Sequence, residues 1–332
     1  MPRTKVYLKD IAKAAGVSIA MVSYVLNGKH LDRIKEDTAN RVRDIALKMN
    51  YRPNFIGKAL QSQKSDTIGL IVPDLAHPFF MRVAQVIELR LVKYGYTLLI
   101  GSTGEHQQKQ RDLVVNFINR GVDGLVILPL QDSQDEVAEA INDEVPYFFT
   151  DRYFKNSDSN YIVTDNHFGT YALTSSLINN GKSNVALVTL KSSMEHFLMR
   201  TRGFLDAIEN VENIGSHIIE LDPLPDKLLF DEKIDSLLEA DPNLDAMVFT
   251  TDYLTMYGMR YLLKSGLNER IQIAGFDEAE YYSIYPSPVI YYRQPLDTIG
   301  ERIVQNILAQ IKSPRATKII QEVIKGDLIF SQ

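Results

Sequence analysis

Residues 6–27 read VYLKDIAKAAGVSIAMVSYVLN, two short amphipathic stretches either side of one glycine. Leu8, Ile11, Ala12 and Ala15 recur at helical spacing and predict a helix over Leu8–Ala14 with one buried face. Gly16 ends it, because glycine enters a left-handed turn without steric cost. Ser18 stands where an N-cap belongs, its hydroxyl able to accept a free amide of the next turn. A second helix follows over Ile19–Leu26, with Met21, Val22, Val25 and Leu26 able to face a core. That leaves Ile19, Ala20, Ser23, Tyr24 and Asn27 outward. The pattern is that of a helix-turn-helix, whose second helix can enter a DNA major groove. The competing reading is a pair of ordinary surface helices.

Charge favours the DNA reading. Residues 1–64 carry 13 lysines and arginines against 5 acids, a net +8. The whole chain is −6, so the remainder carries −14. A basic head on an acidic body suits a unit that meets phosphate and a body that does not. A third helix over Asp37–Met49, with Val42, Ile45, Ala46 and Met49 on one face, would close a three-helix head. The loop before it, 28–35, presents Lys29, His30, Arg33 and Lys35 for phosphate contact.

At 332 residues the chain fits two or three domains. An apolar content of 45% is enough for a full core. The absence of cysteine excludes disulfides, a thiolate nucleophile and a cysteine metal cluster. No apolar run reaches the length of a membrane span, and the N-terminus lacks the apolar stretch of a secretory signal. A cytoplasmic protein without membrane association is expected. Six histidines show no metal-ligand spacing, no phosphate-cradling glycine loop occurs, and nothing pairs a nucleophile with a base. An enzyme is therefore not expected, nor a cofactor or metal. A simple solute receptor would not need the basic head.

After the head comes YRPNFIGKALQSQKSD, residues 51–66. Asn54–Gln61 could form a short helix, but Gly57 in its middle costs about 1 kcal/mol relative to alanine. From Thr67 onward apolar strands alternate with amphipathic helices. The strands expected are 67–72, 97–102, 124–128, 147–150, 161–164, 184–190, 216–221, 246–250, 272–274 and 289–292. The helices expected are 79–94, 108–120, 135–142, 168–179, 197–209, 228–239, 253–264 and 297–312. Such alternation predicts parallel sheets covered on both faces, in two doubly wound lobes of about five strands. Ligands of such sheets sit beyond the carboxyl ends of the strands.

The head KDIAKAAGVSIAMVSYVLNG, the segment YRPNFIGKAL, the block PDLAHPFF, the pair Asp165-Asn166 and the closing IAGFDEAEYYSIYPSPVIYYRQP, in that order, resemble the lactose/galactose repressor (LacI) family of bacterial regulators. The resemblance implies an all-α helix-turn-helix head on an α/β body like periplasmic sugar-binding proteins. It divides the chain into a DNA-binding head (1–50), a hinge (51–64) and an effector-binding body (65–332). Lobe one would take 65–163 and 294–322, and lobe two 164–293 and 323–332. A homodimer on a near-palindromic operator is implied, its dimer contacts coming from the helix after Pro78 and from 278–283. The chain ends without a leucine heptad tail, so no tetramer is expected through one.

The same resemblance assigns DNA contact to Ser18, Ile19, Ala20, Ser23, Tyr24, Asn27, Lys29, His30, Asn54 and Leu60. Leu60 matches the leucine that wedges into the minor groove at the dyad. Ile19 and Ala20 depart from the long polar groups of relatives and can touch thymine methyls. Tyr7 departs too, where relatives carry a capping threonine. For the effector it implies Asp74, His77, Phe79, Phe80, Asp151, Arg152, Asp165, Arg200, Asp252 and Asp277. One of the two phenylalanines is expected to stack on ligand or to be core. Asp165 would either bind ligand or fix the lobe crossover, and Asp252 also sits where an N-cap belongs. Carboxylates, two arginines and aromatics describe a polyol or sugar site, and suit a nucleobase or a sugar acid as well.

Overall fold

A computed structural model describes residues 6–51, 64–142, 144–155, 157–223, 226–313 and 318–331. The chain forms two compact units, one ending at Ser65 and one beginning at Asp66. Asn54, Gly57, Leu60 and the expected helix Asn54–Gln61 lie outside the described residues.

The first unit contains α1 (Leu8–Ala15), α2 (Ile19–Leu26) and α3 (Glu36–Lys48), with a 3-10 turn at Leu31–Arg33. Ile11, Ala12, Ala15, Val22, Val25, Ala39, Val42 and Ala46 form its core. Gly16 takes the left-handed conformation (φ 65°) that ends α1. Ser18 Oγ accepts the Met21 amide at 3.2 Å and starts α2. Tyr7 gives no side-chain cap to α1; instead the Asp10 carboxylate accepts the Tyr7 amide at 2.9 Å. Met21 is half-buried and lies outside the core cluster, so α2 packs mainly through Val22 and Val25.

In the second unit, one sheet has the order β11-β5-β4-β3-β1-β2, all parallel: β1 (Thr67–Val72), β2 (Thr97–Ser102), β3 (Gly124–Ile127), β4 (Tyr147–Phe149), β5 (Tyr161–Thr164) and β11 (Gln321–Ile324). One face packs on α4 (Pro78–Val92) and α11 (Leu296–Lys312), the other on α5 (Gln107–Asn119) and α6 (Gln134–Ile141). The second sheet runs β12-β10-β9-β8-β6-β7: β6 (Asn184–Leu190), β7 (Gly215–Leu221), β8 (Ala246–Phe249), β9 (Gln272–Phe276), β10 (Val289–Arg293) and β12 (Asp327–Phe330). Only β12 is antiparallel to its neighbour. Its helices are α7 (Asn166–Asn179) and α8 (Glu195–Ile208) on one face, α9 (Lys227–Ala240) and α10 (Asp252–Ser265) on the other.

Two doubly wound lobes result, as the alternation predicts, with six strands each. β11 and β12 were not among the expected strands. Both are four-residue edge strands with half-exposed side chains, so neither shows the buried apolar run of a central strand. The chain crosses between lobes at Asp165, at Gln294-Pro295 and at Lys325-Gly326. The first sheet keeps Thr164 and runs to Ile324, slightly past the expected limits of 163 and 322.

Helices α7 and α8 approach closely at Gly203, where a Cβ would lie 2.2 Å from the His167 carbonyl oxygen. Backbone cannot yield as a flexible side chain can. Gly203→Ala is expected to destabilise the body by about 1–3 kcal/mol through forced separation of this pair. Urea denaturation of both proteins measures it, and an unchanged midpoint contradicts the contact.

Candidate functional site

Between the lobes lies a cavity of about 550 Å³, lined from the carboxyl ends of β1, β3, β6, β8 and β9 and from the turns after β2 and β4. Asp151 (φ 61°) and Asp277 (φ 78°) follow β4 and β9 in left-handed backbone, which aspartate tolerates better than most residues. Asp252 opens α10 after β8, and Asp74 follows β1. All four carboxylates line the cavity.

Arg200, on α8, is 3% exposed and lies among them. Its Nε donates to Asn166 Oδ1 at 2.9 Å, and Nη1 donates to the Thr250 carbonyl. Its guanidinium carbon stands 3.7 Å from the centre of the Phe276 ring. Burial lowers its pKa, opposed by Asp277, Asp151 and Asp252. Burial likewise raises Asp277, to about 7, against the pull of Arg200, and Gln294 Nε2 donates to Asp277 Oδ1. Asp151 is raised for the same reason, opposed first by Arg152.

The opposite wall is built around Arg152. Its Nη1 and Nη2 reach the two Glu105 carboxylate oxygens at 3.3 and 3.1 Å. It also lies 5.7 Å from the Phe80 ring centre. Phe79 and Phe80 both belong to the lobe-one core and both reach the cavity, so the two expected roles coincide. His77 caps α4 through Nδ1, which accepts the Phe79 amide at 3.3 Å, while Nε2 lies 3.5 Å from Asp252 across the cleft. Further bridges join the lobes: Arg82 to Glu278 at 2.6 Å, Lys155 to Glu195 at 3.1 Å, and Ser192 Oγ to Gln131 Oε1 at 3.2 Å.

The cavity thus gathers nine of the ten expected effector residues. Asp165 is the exception: its carboxylate accepts the Phe168 amide at 2.9 Å as the cap of α7, and its own amide donates to the Ile324 carbonyl. It belongs to the crossover, not to the cavity wall. Among the lining residues that were not anticipated, Glu105, Gln131, Lys191 and His196 carry polar groups. Glu105, Gln131 and Lys191 lie within four residues of a strand's carboxyl end, a signal the sequence contained, whereas His196 stands in the first turn of α8. His196 is 4% exposed, its Nδ1 is buried without a hydrogen-bond partner, and burial with two nearby guanidiniums drives its pKa well below 6.5. It therefore offers a neutral imidazole. Among the described residues, no cluster of histidine and carboxylate side chains could hold a metal ion.

On the head, Ile19, Ala20, Tyr24, Asn27, Lys29 and His30 are exposed, and Ser23 is half-buried. Asn27 Nδ2 donates to the Ser23 carbonyl (2.8 Å) and hydroxyl (3.2 Å). His30 adopts φ 52° and meets the Tyr24 ring edge-on at 4.9 Å.

Residues 7–54 match the family model for bacterial regulatory proteins of the lacI family, and residues 65–326 match that for periplasmic binding proteins and the sugar-binding domain of the LacI family. The chain belongs to the LacI family. It is 27% identical over 89% of either chain to catabolite control protein A of Priestia megaterium. It is 26% identical to the ribose operon repressor of Halalkalibacterium halodurans, over 96% of this chain and 97% of that one. The lac repressor dimer bound to operator and the anti-inducer ONPF shares the fold, with a TM-score of 0.83 at 23% identity over 98% of both chains. As a LacI-family member the chain is a DNA-binding transcriptional regulator with a ligand-binding body, and not an enzyme.

In this LacI-family cleft the charge of Arg200 holds three buried carboxylates in check. Asp277 has a folded pKa raised above its unfolded value. Ionising it therefore costs stability as pH climbs from about 4 through about 7. Arg200→Ala removes the opposing cation and strands those carboxylates. A loss of about 3–5 kcal/mol is expected at pH 8, shrinking at pH 5 where Asp277, with its raised pKa, can take up a proton. Urea titrations at both pH values measure this; an equal loss at both would show that charge is not what Arg200 supplies.

Proposed function

We propose that the chain is a homodimeric, cytoplasmic repressor whose operator affinity is set by an uncharged sugar or related polyol in the cleft. Residues 1–50 would bind DNA, 51–64 would act as the hinge with Asn54 and Leu60 on the operator, and 65–332 would bind effector and dimerise. One observation carries the choice of ligand class: each cation lining the cavity among the described residues already has carboxylates beside it. Arg152 is held by Glu105, Lys191 lies 3.0 Å from Asp222, and Arg200 stands in the field of Asp277, Asp151 and Asp252. A phosphate or a sugar acid would add negative charge to a wall already rich in it. Hydroxyls suit the carboxylates as donors and the guanidiniums as acceptors, in charge-assisted bonds. The half-buried Phe197 and Tyr253 side of the cavity, with Phe79 and Phe80 opposite, offers apolar faces for a sugar ring. A relative named a ribose operon repressor accords with this class.

Support for the dimer comes from apolar side chains left in solvent on the elements expected to meet a second copy. Leu89 and Val92 on α4 are 55% and 60% exposed, and Ile284, at the end of the 3-10 turn Glu280–Ile284, is 83% exposed. No helix among the described residues is long and apolar enough to cross a membrane. The operator reading follows from the helix-turn-helix and the basic balance of the head.

A thermal-shift panel of neutral sugars, sugar phosphates and sugar acids tests the ligand class. At about one hundred times Kd a ligand that binds only the folded chain adds about 2.7 kcal/mol. Neutral sugars are expected to supply the stabilising compounds, and Asp277→Ala to abolish their shift while leaving DNA binding. Stabilisation confined to phosphorylated or acidic compounds would overturn the assignment.

A further inference from the structure

We propose that α2 reads each operator half-site chiefly through thymine methyl groups, with Ile19 and Ala20 as the contacting residues. This rests on the head being the DNA-reading unit.

The helix Ile19–Leu26 contains no charged residue. Its polar neighbours are committed locally. Ser18 Oγ accepts the Met21 amide, and the Asn27 amide group is tied back onto the Ser23 carbonyl and hydroxyl. Tyr24 is 41% exposed, but its ring is set against His30, which leaves it one hydroxyl for one hydrogen bond. What α2 presents at its N-terminal end, where a reading helix meets base edges, is the side chain of Ile19 (52% exposed) and the methyl of Ala20. Neither can donate or accept a hydrogen bond. In the major groove each base pair displays donors and acceptors, and the apolar group among them is the C5-methyl of thymine. A base other than thymine opposite Ile19 would face hydrocarbon with its polar edge unsatisfied, so these positions discriminate as well as attract. Ile19 is β-branched, so its shape at Cβ is held to few rotamers and little is lost on ordering it.

The charges stand elsewhere. Lys9, Lys13, Lys29, Arg33 and Lys35 are exposed on the segments flanking α2. They are suited to phosphate, which fixes register and carries no sequence information. Affinity and specificity are thereby separated by chemistry: the first is salt-dependent, the second is not.

The experiment uses the wild-type chain. A preferred duplex is selected from a randomised pool, and each thymine of its half-sites is replaced by deoxyuridine, which removes the methyl and leaves the hydrogen-bonding edges unchanged. The expected result is a loss of about fourfold in Kd for each methyl in contact, with no change in the salt slope. Ile19→Ala, at an exposed position, is expected to shrink the penalty at its own thymine. A selected duplex that binds equally well with uracil, or one lacking thymine in its half-sites, overturns the methyl reading alone. A pool that yields no preferred duplex overturns the DNA-reading assignment beneath it.

Discussion

Arg200 is the residue on which the body depends. A guanidinium 3% exposed to solvent carries a desolvation cost of several kcal/mol, and the fold offsets it from four directions. Asn166 and the Thr250 carbonyl take its N–H groups, the Phe276 face lies 3.7 Å away, and carboxylates from both lobes supply the opposing charge. Asp252 and Asp277 come from the second lobe, where Arg200 itself resides, whereas Asp151 comes from the first. The arginine therefore feels the other lobe through charge, and any change in lobe separation changes its electrostatic surroundings. A ligand entering here meets groups that are already mutually compensated. It can gain by completing hydrogen bonds, and has little to gain by bringing charge of its own.

The cleft is also where the mechanical connections converge. Gln294, on the second crossover, donates to Asp277, and Asp165, on the first, ties β11 to α7. At the third, the Gly326 amide donates to the Tyr292 hydroxyl, and Lys325 lies 4.2 Å from the Phe168 ring. The two lobes thus meet through side chains at the cleft and through three strand connections beside it. A two-state opening and closing is the natural movement of such a body, and a ligand can bias it only by binding the two states unequally.

Much of this was legible in the amino-acid order. The head was readable because its information is local: Gly16, Ser18 and the apolar spacing of Ile11, Ala12, Ala15, Val22 and Val25 specify turn, cap and core within a few turns of chain. The central strands were readable from continuous apolar runs such as Thr67–Val72. The edge strands β11 and β12 were not, since they lack such a run and owe their pairing to neighbours some 160 and 40 residues away in sequence. Nine cavity-lining residues came from applying the strand-end rule together with the family resemblance. Asp165 did not join them because its spacing from Phe168 makes it a helix cap. Glu105 lay within reach of the strand-end rule, three residues past β2, whereas His196 escaped because its importance arises from burial beside Arg200, which is not written in local spacing.

The head and the body divide the physics between them. The head combines a basic exterior with an uncharged second helix, and the body encloses charge and offers hydrogen bonds to a small ligand. A regulator requires that the two functions be coupled, and coupling is reciprocal by thermodynamic necessity. The most direct measurement is the Kd of a stabilising neutral sugar, taken once with the free chain and once with the chain saturated by its operator duplex. The account predicts that the two constants differ by at least about fivefold, the lower end of ordinary allosteric coupling. Identical constants would mean that the cleft and the head act independently, and would contradict it.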